Sequence, residues 1–146
     1  MSNKPVTEQL KNVLADTYTL YLKTQNYHWN VKGPQFSSLH TLFETQYTAL
    51  AMANDEIAER IRALGELAPG TYEEFAKRSK VGSGKATLNA EGMLKDLIKS
   101  HELTLESLDK ALAAAEKAED AFTADLMTAR IGAHEKDLWM LHSQLG

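Results

Sequence analysis

Cysteine is absent from this 146-residue chain, so neither a disulfide nor a thiolate metal site can be part of it. Proline is scarce. Pro5, Pro34 and Pro69 all lie in the first half of the sequence, which leaves long stretches free to be helical. No apolar run is long enough to cross a bilayer, so no membrane span is expected. The opening residues, MSNKPVTEQLK, lack the apolar core of a secretory signal, so a cytoplasmic location is expected. An excess of positive charge is missing too. Sixteen Lys and Arg face twenty Asp and Glu, a net charge of −4, which argues against a generally basic surface for nucleic acid. No strand-like alternation, internal repeat or low-complexity tail is present, and one domain over residues 1–146 is expected.

What is there reads as four long helices and one short one. Leu10, Val13, Leu14, Thr17, Leu20, Tyr21 and Thr24 recur on one face of a helix from about Thr7 to Val31. Gly33-Pro34 stops it. Ser37 or Ser38 is the expected cap of a second helix that runs to about Leu64, before Gly65. A connection of roughly twenty residues follows, with Pro69-Gly70 and Gly82-Ser83-Gly84 as breaks. Inside it, Thr71 and Glu74 form a capping box for a short helix through Ala76. The third long helix starts near Asn89 and runs to about Ala118, with Met93, Leu94, Leu97, Ile98, Leu105, Leu108 and Leu112 inward. Asp120 caps the fourth, whose apolar positions are Phe122, Leu126, Ile131, Leu138, Met140 and Leu141. Short, long and short connections imply an all-α four-helix bundle. The short extra helix sits in the long connection between the second and third long helices (B and C), the ferritin-like arrangement.

The second long helix carries His40, Glu44, Asp55 and Glu59. At 100° per residue they fall at about 0°, 40°, 60° and 100° around the helix, one polar stripe. Leu39, Phe43, Leu50, Ile57 and Ile61 cluster on another face. The midpoints of the two pairs are about 22 Å apart along the axis, so one copy of the helix cannot close both pairs on one metal. An antiparallel second copy, related by a two-fold axis near residues 49–50, would bring His40 and Glu44 beside the other chain's Asp55 and Glu59. Thr48 and Ala51 are small enough to let the helices approach. His28, at the end of the first helix, joins His40 and Glu44 across an antiparallel hairpin. Histidines with carboxylates suit iron, zinc or manganese. The competing reading is plainer: acidic residues on helices are mostly solvated, and one histidine on a surface needs no ligand.

No histidine has a Glu three residues before it, so the intrasubunit di-iron pattern of bundle proteins is missing. His101, His134 and His142 read as structural. Trp29 reads either as packing at a helix end or as a redox-active aromatic beside the metal. Tyr47 and Trp139 read as packing residues. Glu116, Glu119, Asp120 and Asp125 crowd the last helix junction, where capping and dipole effects are one explanation.

The stretch YHWNVKGPQFSSLHTLFETQY (Tyr27 to Tyr47), then DEIAERIRALG (Asp55 to Gly65), and HEKDLWML near the end resemble the Dps family of miniature ferritins. The resemblance spans almost the whole chain. It implies a self-assembled homododecameric shell with ferroxidase sites between two-fold partners: His28, His40 and Glu44 from one chain, Asp55 and Glu59 from the other. Asp or Glu is usual at the position of Glu44, and Trp29 corresponds to a tryptophan near the site. It further implies oxidation of ferrous iron with hydrogen peroxide preferred, storage of ferric mineral, and protection against oxidative damage. Acidic pores at three-fold axes are implied as well, with Asp120, Asp125 and then Glu116 as the iron-entry residues. Some members bind DNA through a basic N-terminal extension. Here Lys4 is the sole basic residue before the first helix, so DNA compaction is the less favoured alternative. A zinc-holding site without turnover is a third reading.

Overall fold

The computed structural model describes residues 2–146. It contains five helices and, among the described residues, no strand: α1 (Lys4–Asn30), α2 (Phe36–Ala63), α3 (Tyr72–Arg78), α4 (Ala90–Lys117) and α5 (Ala121–Leu145). The four long helices form the expected bundle, and α3 lies in the long crossover. α1 is the central element, packed on α2, α4 and α3, while α5 packs mainly on α4.

Some helix ends differ from expectation. α1 begins at Lys4, ahead of Thr7, with Pro5 in its first turn, where a missing N–H costs nothing. α2 begins at Phe36, and its N-cap position, Gln35, makes no side-chain cap bond. Ser38 instead donates its hydroxyl to the Gln35 carbonyl. The caps expected at Thr71 and Asp120 are present, and Asn89 adds a third. Thr71 and Glu74 close a reciprocal capping box, although α3 continues to Arg78. Asn89 accepts from the Gly92 N–H and Asp120 from the Thr123 N–H.

The core is two apolar clusters. One holds Leu10, Leu14, Ile57, Ile61, Leu108 and Met127. The other holds Leu20, Tyr27, Leu39, Phe43, Leu50, Leu97 and Leu141. Between them in chain order lie buried polar side chains: Thr17 on α1, Asn54 on α2, His101 and Thr104 on α4, His134 on α5. α5 differs most from its sequence reading. Its buried residues are Thr123, Met127, His134 and Leu141. Phe122 is 64% exposed, with the Arg60 guanidinium 4.7 Å from its ring centre. Apolar residues on several faces of α5 made the inward stripe ambiguous, and its most buried position in mid-helix is a histidine.

Two buried polar nodes hold the crossover against α1. Asp16 accepts from the Ser79 hydroxyl (2.9 Å), the Lys80 N–H (2.8 Å) and the Ser107 hydroxyl (2.5 Å). Further along, Tyr27 donates its hydroxyl to Asp96 at 2.5 Å and accepts from the Lys85 N–H at 3.1 Å. Lys23 pairs with the same Asp96 at 3.2 Å. Burial lowers the Lys23 pKa, and Asp96 only partly opposes that. At Gly84 a Cβ would lie 3.2 Å from the Lys23 side chain, so the loop's close approach to α1 depends on glycine there.

Candidate metal centre

The antiparallel α1–α2 hairpin places the last turn of α1 beside the first turns of α2. His28 is 6% exposed, His40 is half-buried and Glu44 is exposed. One ligand atom from each lies within 4.8 Å of the others, the grouping a metal ion needs. His28 Nε2 is 3.8 Å from a Glu44 carboxylate oxygen.

The two imidazoles are locked reciprocally. His28 Nδ1 lies 2.7 Å from the His40 carbonyl, and His40 Nδ1 lies 2.7 Å from the His28 carbonyl. A carbonyl only accepts, so each Nδ1 carries the proton and donates it. In the neutral rings both Nε2 lone pairs are then free, the protonation state a metal ligand requires. The local reason is simple. The His28 carbonyl is among the last four of α1, which have no helical partner, and His40 supplies one. The rings also stack on each other, with centroids 3.8 Å apart and planes 13° from parallel. Phe36 stacks on the outer face of His40 at 4.9 Å, and Tyr47 meets His28 edge-on at 5.2 Å. Both rings are thus fixed by packing and by hydrogen bonds.

Asp55 and Glu59 are exposed and outside this grouping. Asp55 lines an open groove of about 660 Å³ with Tyr18, Tyr21, Ala51 and Tyr72. Glu59 lies in a separate groove with Arg60 and Phe122. Thr48 and Ala51, on the same stripe, are exposed as well. The single chain therefore brings together three of the five residues singled out in the sequence. Trp29, next to His28, is 61% exposed.

The acidic residues of the α4–α5 junction differ from one another. Glu116 and Asp125 are exposed. Asp120 is engaged: it accepts from the Thr123 N–H at 3.1 Å, the Thr123 hydroxyl at 2.6 Å and the Arg60 guanidinium at 2.9 Å. Burial alone would raise its pKa, but the Thr123 hydrogen bonds and the Arg60 charge outweigh that and hold it below the usual carboxylate value.

A buried histidine pair was not evident in the sequence. His101 and His134 meet Nδ1 to Nδ1 at 2.8 Å, and both are fully buried. Arg130 lies 3.3 Å from His134 Nε2. Arginine only donates, so His134 Nε2 accepts, His134 Nδ1 donates to His101 Nδ1, and the His101 proton sits on Nε2. That N–H has no partner among the described residues. Burial, with the nearby Arg130 charge, pushes the His101 pKa down to about 3. Burial, His101 and Arg130 lower that of His134. The only signal for the pair was their i+33 placement on antiparallel helices, which is legible only once the register is known.

A ferritin-like domain family matches residues 7–146. A protein of Bacillus anthracis named DNA protection during starvation protein 2 is 40% identical over 143 residues, covering 98% of both chains. Among solved structures, Dps from Staphylococcus aureus superposes with a TM-score of 0.95 at 32% identity, over 99% of this chain and 97% of that one. A Dps protein from Vibrio cholerae gives 0.94 at 29% identity, over 99% and 91%. That protein is described as a member of a broad superfamily of ferritin-like diiron-carboxylate proteins.

Proposed function

Because the chain belongs to the Dps family of ferritin-like proteins, we propose that it oxidises ferrous iron at sites shared between two-fold partners and stores the ferric product in a self-assembled shell. The observation that carries this reading is the reciprocal histidine lock. Two imidazoles with their Nδ1 protons held by backbone carbonyls leave their Nε2 atoms available beside one carboxylate, an incomplete ligand set for iron. In this proposal the set is completed by Asp55 and Glu59 of the second chain across the α2 stripe. The spacing of the stripe and the small exposed residues Thr48 and Ala51 at its centre support that arrangement. The shell is proposed as a homododecamer, in keeping with the family resemblance.

Ferrous iron is the substrate. The imidazoles suit the ferrous ion on entry, and the hard carboxylate oxygens favour the ferric product. With hydrogen peroxide as oxidant, two adjacent ferrous ions supply both electrons, and no one-electron product leaves the site. Zinc or manganese would compete for the same ligands. The lock keeps both rings in place before the metal arrives, so the site needs little reorganisation on binding.

Iron entry is proposed at the α4–α5 junction. Glu116 and Asp125 are exposed and would concentrate cations by their field. Asp120 is committed to its cap and to Arg60 and is proposed to shape this region without binding the ion.

The test is anaerobic ferrous titration followed by peroxide. In the His28→Gly/His40→Gly variant the helices should remain folded by circular dichroism while ferrous oxidation slows strongly. Parent-like oxidation in that variant would overturn the site. A gel-shift assay at low salt addresses DNA binding, which is not favoured for a chain of net charge −4.

A further inference from the structure

The first turns of α2 carry a ligand but start without a cap. Gln35, at the N-cap position, makes no side-chain cap bond, whereas α3, α4 and α5 are capped by Thr71, Asn89 and Asp120. Rings organise this helix start instead. Phe36, the first residue of α2, lies one turn before His40, where i and i+4 side chains meet. Its ring stacks on His40 with centroids 4.9 Å apart and planes 23° from parallel. His40 in turn stacks on His28 at 3.8 Å and 13°. Phe36 is 41% exposed and belongs to neither core cluster. Bundle packing therefore does not account for a large apolar ring at this position. Among the described residues its one aromatic partner is His40.

The torsion that turns an imidazole about its Cβ–Cγ bond is soft, so the orientation of His40 must come from its surroundings. Its Nδ1 donates to the His28 carbonyl at 2.7 Å, which leaves Nε2 available for the grouping with His28 and Glu44. Turning the ring takes Nδ1 off that carbonyl and moves Nε2 as well. The His28 ring covers one face of His40, and Phe36 covers the other with a second flat surface. We propose that Phe36 is a positioning residue of the metal centre: it clamps the His40 ring on the carbonyl lock and so sets how tightly the site takes a divalent cation, while supplying no ligand atom. This rests on the metal-centre reading above. Without the clamp, His40 samples several orientations, and the apparent affinity falls by the fraction of time it spends in the competent one. Once the ion is bound, the ion itself holds the ring. The effect therefore falls on binding and not on the oxidation step.

Two measurements on the assembled, metal-free protein test this. Zinc binding is followed by titration calorimetry, counting only the zinc that the His28→Gly/His40→Gly variant loses. Oxidation by hydrogen peroxide is followed as ferrous iron is varied. Phe36→Leu keeps apolar bulk but removes the flat ring. Its zinc affinity should fall about 10-fold, the scale of lost support behind a metal ligand. KM for ferrous iron should rise with it, and kcat should stay near the parent's. Phe36→Tyr restores the flat ring and should return both zinc affinity and KM to the parent's values. A merely space-filling role would be met by Leu as well as by Tyr. Should Phe36→Leu fail to assemble, Phe36→Met, which also lacks a flat face, carries the same expectation. Parent-like zinc affinity in the aliphatic variant, or a Tyr variant as weak as it, would overturn the positioning role and leave the metal centre standing. A parent that binds no such zinc and oxidises no iron would sink the metal centre itself. A parent that binds zinc without oxidising iron would sink the ferroxidase reading alone, and Phe36 would then be judged on zinc affinity.

Discussion

At the scale of single residues, histidine is put to two opposite uses in this chain. His28 and His40 hold their Nδ1 protons on each other's carbonyls and group with Glu44. His101 and His134 are sealed inside and kept neutral. The buried pair ties stability to pH. Unfolded, a histidine takes up a proton near pH 6.5; folded, His101 does so only near 3, and His134 is lowered in the same direction. Below 6.5 the unfolded chain therefore binds protons that the folded one refuses, and stability falls with pH. The full contribution is present above 6.5 and is lost on the way to 3. Asp137 acts with the opposite sign. Burial raises its pKa to about 6 against the attraction of Arg130 and Lys136, so between about 6 and 3.8 the folded chain holds a proton that the unfolded one lacks. Two lowered histidines oppose one raised aspartate over that window, and stability falls as the pH drops through it. Urea unfolding at a series of pH values should show stability declining from pH 6 to 4. Replacing Asp137 with Asn should steepen the decline, and a flat profile would contradict the protonation states assigned to the pair.

At the scale of elements, the α4–α5 junction shows how capping and charge compete for the same carboxylates. Glu119 sits at φ 56°, in the left-handed region that favours glycine. The Glu119 N–H bonds to the Glu116 carbonyl, and the Asp120 N–H bonds to that of Ala115. This is the Schellman closure of α4. A residue with a Cβ pays a strain here that glycine would not. Glu119→Gly should raise thermal stability, by about 1 kcal/mol, and an unchanged or lower Tm would show that the turn is not strained. Asp120→Ala should lose about 1 kcal/mol from the cap alone, and Arg60 would lose its carboxylate partner besides. Asp125→Asn with Glu116→Gln should leave stability nearly untouched and slow iron uptake. That slowing should fade as salt screens the field. Uptake equal to the parent's at low ionic strength would remove these residues from the entry route.

At the scale of the whole molecule, the proposed site belongs to a pair of chains and not to one. Mixing variants tests this directly. A chain with His28→Gly and His40→Gly keeps its Asp55 and Glu59. A chain with Asp55→Asn and Glu59→Gln keeps its histidines. Each alone should assemble but oxidise iron slowly. Unfolded together and refolded, they should form mixed pairs in which one of the two sites has every ligand, and oxidation should return in part. No recovery in mixed particles, checked by mass spectrometry of the assembly, would mean that the two halves do not meet. Met52, Leu67, Phe122 and Trp139 are large apolar residues exposed on the single chain, and surfaces of that kind commonly mark association sites.

The four long helices, the short one in the crossover, the caps at Thr71 and Asp120, and the polar stripe on α2 could all be read from the sequence. Each depends on residues a few positions apart, and helical periodicity and capping act over that range. His28 with His40 and Glu44 needed one step more, an antiparallel hairpin, and the short Gly33-Pro34 turn supplied it. The inward face of α5 was legible in part: Leu126, Ile131, Leu138 and Leu141 pack on the core, while Phe122 is as apolar and stays exposed. Which stripe turns inward depends on α4, and α4 offers His101. The reciprocal carbonyl bonds that set the tautomers of His28 and His40, the sealed His101–His134 pair, and the edge-on contact of Tyr47 with His28 were fixed only by tertiary structure. They join residues on different helices at ångström distances, and a pattern along one chain carries no information at that resolution about its neighbour.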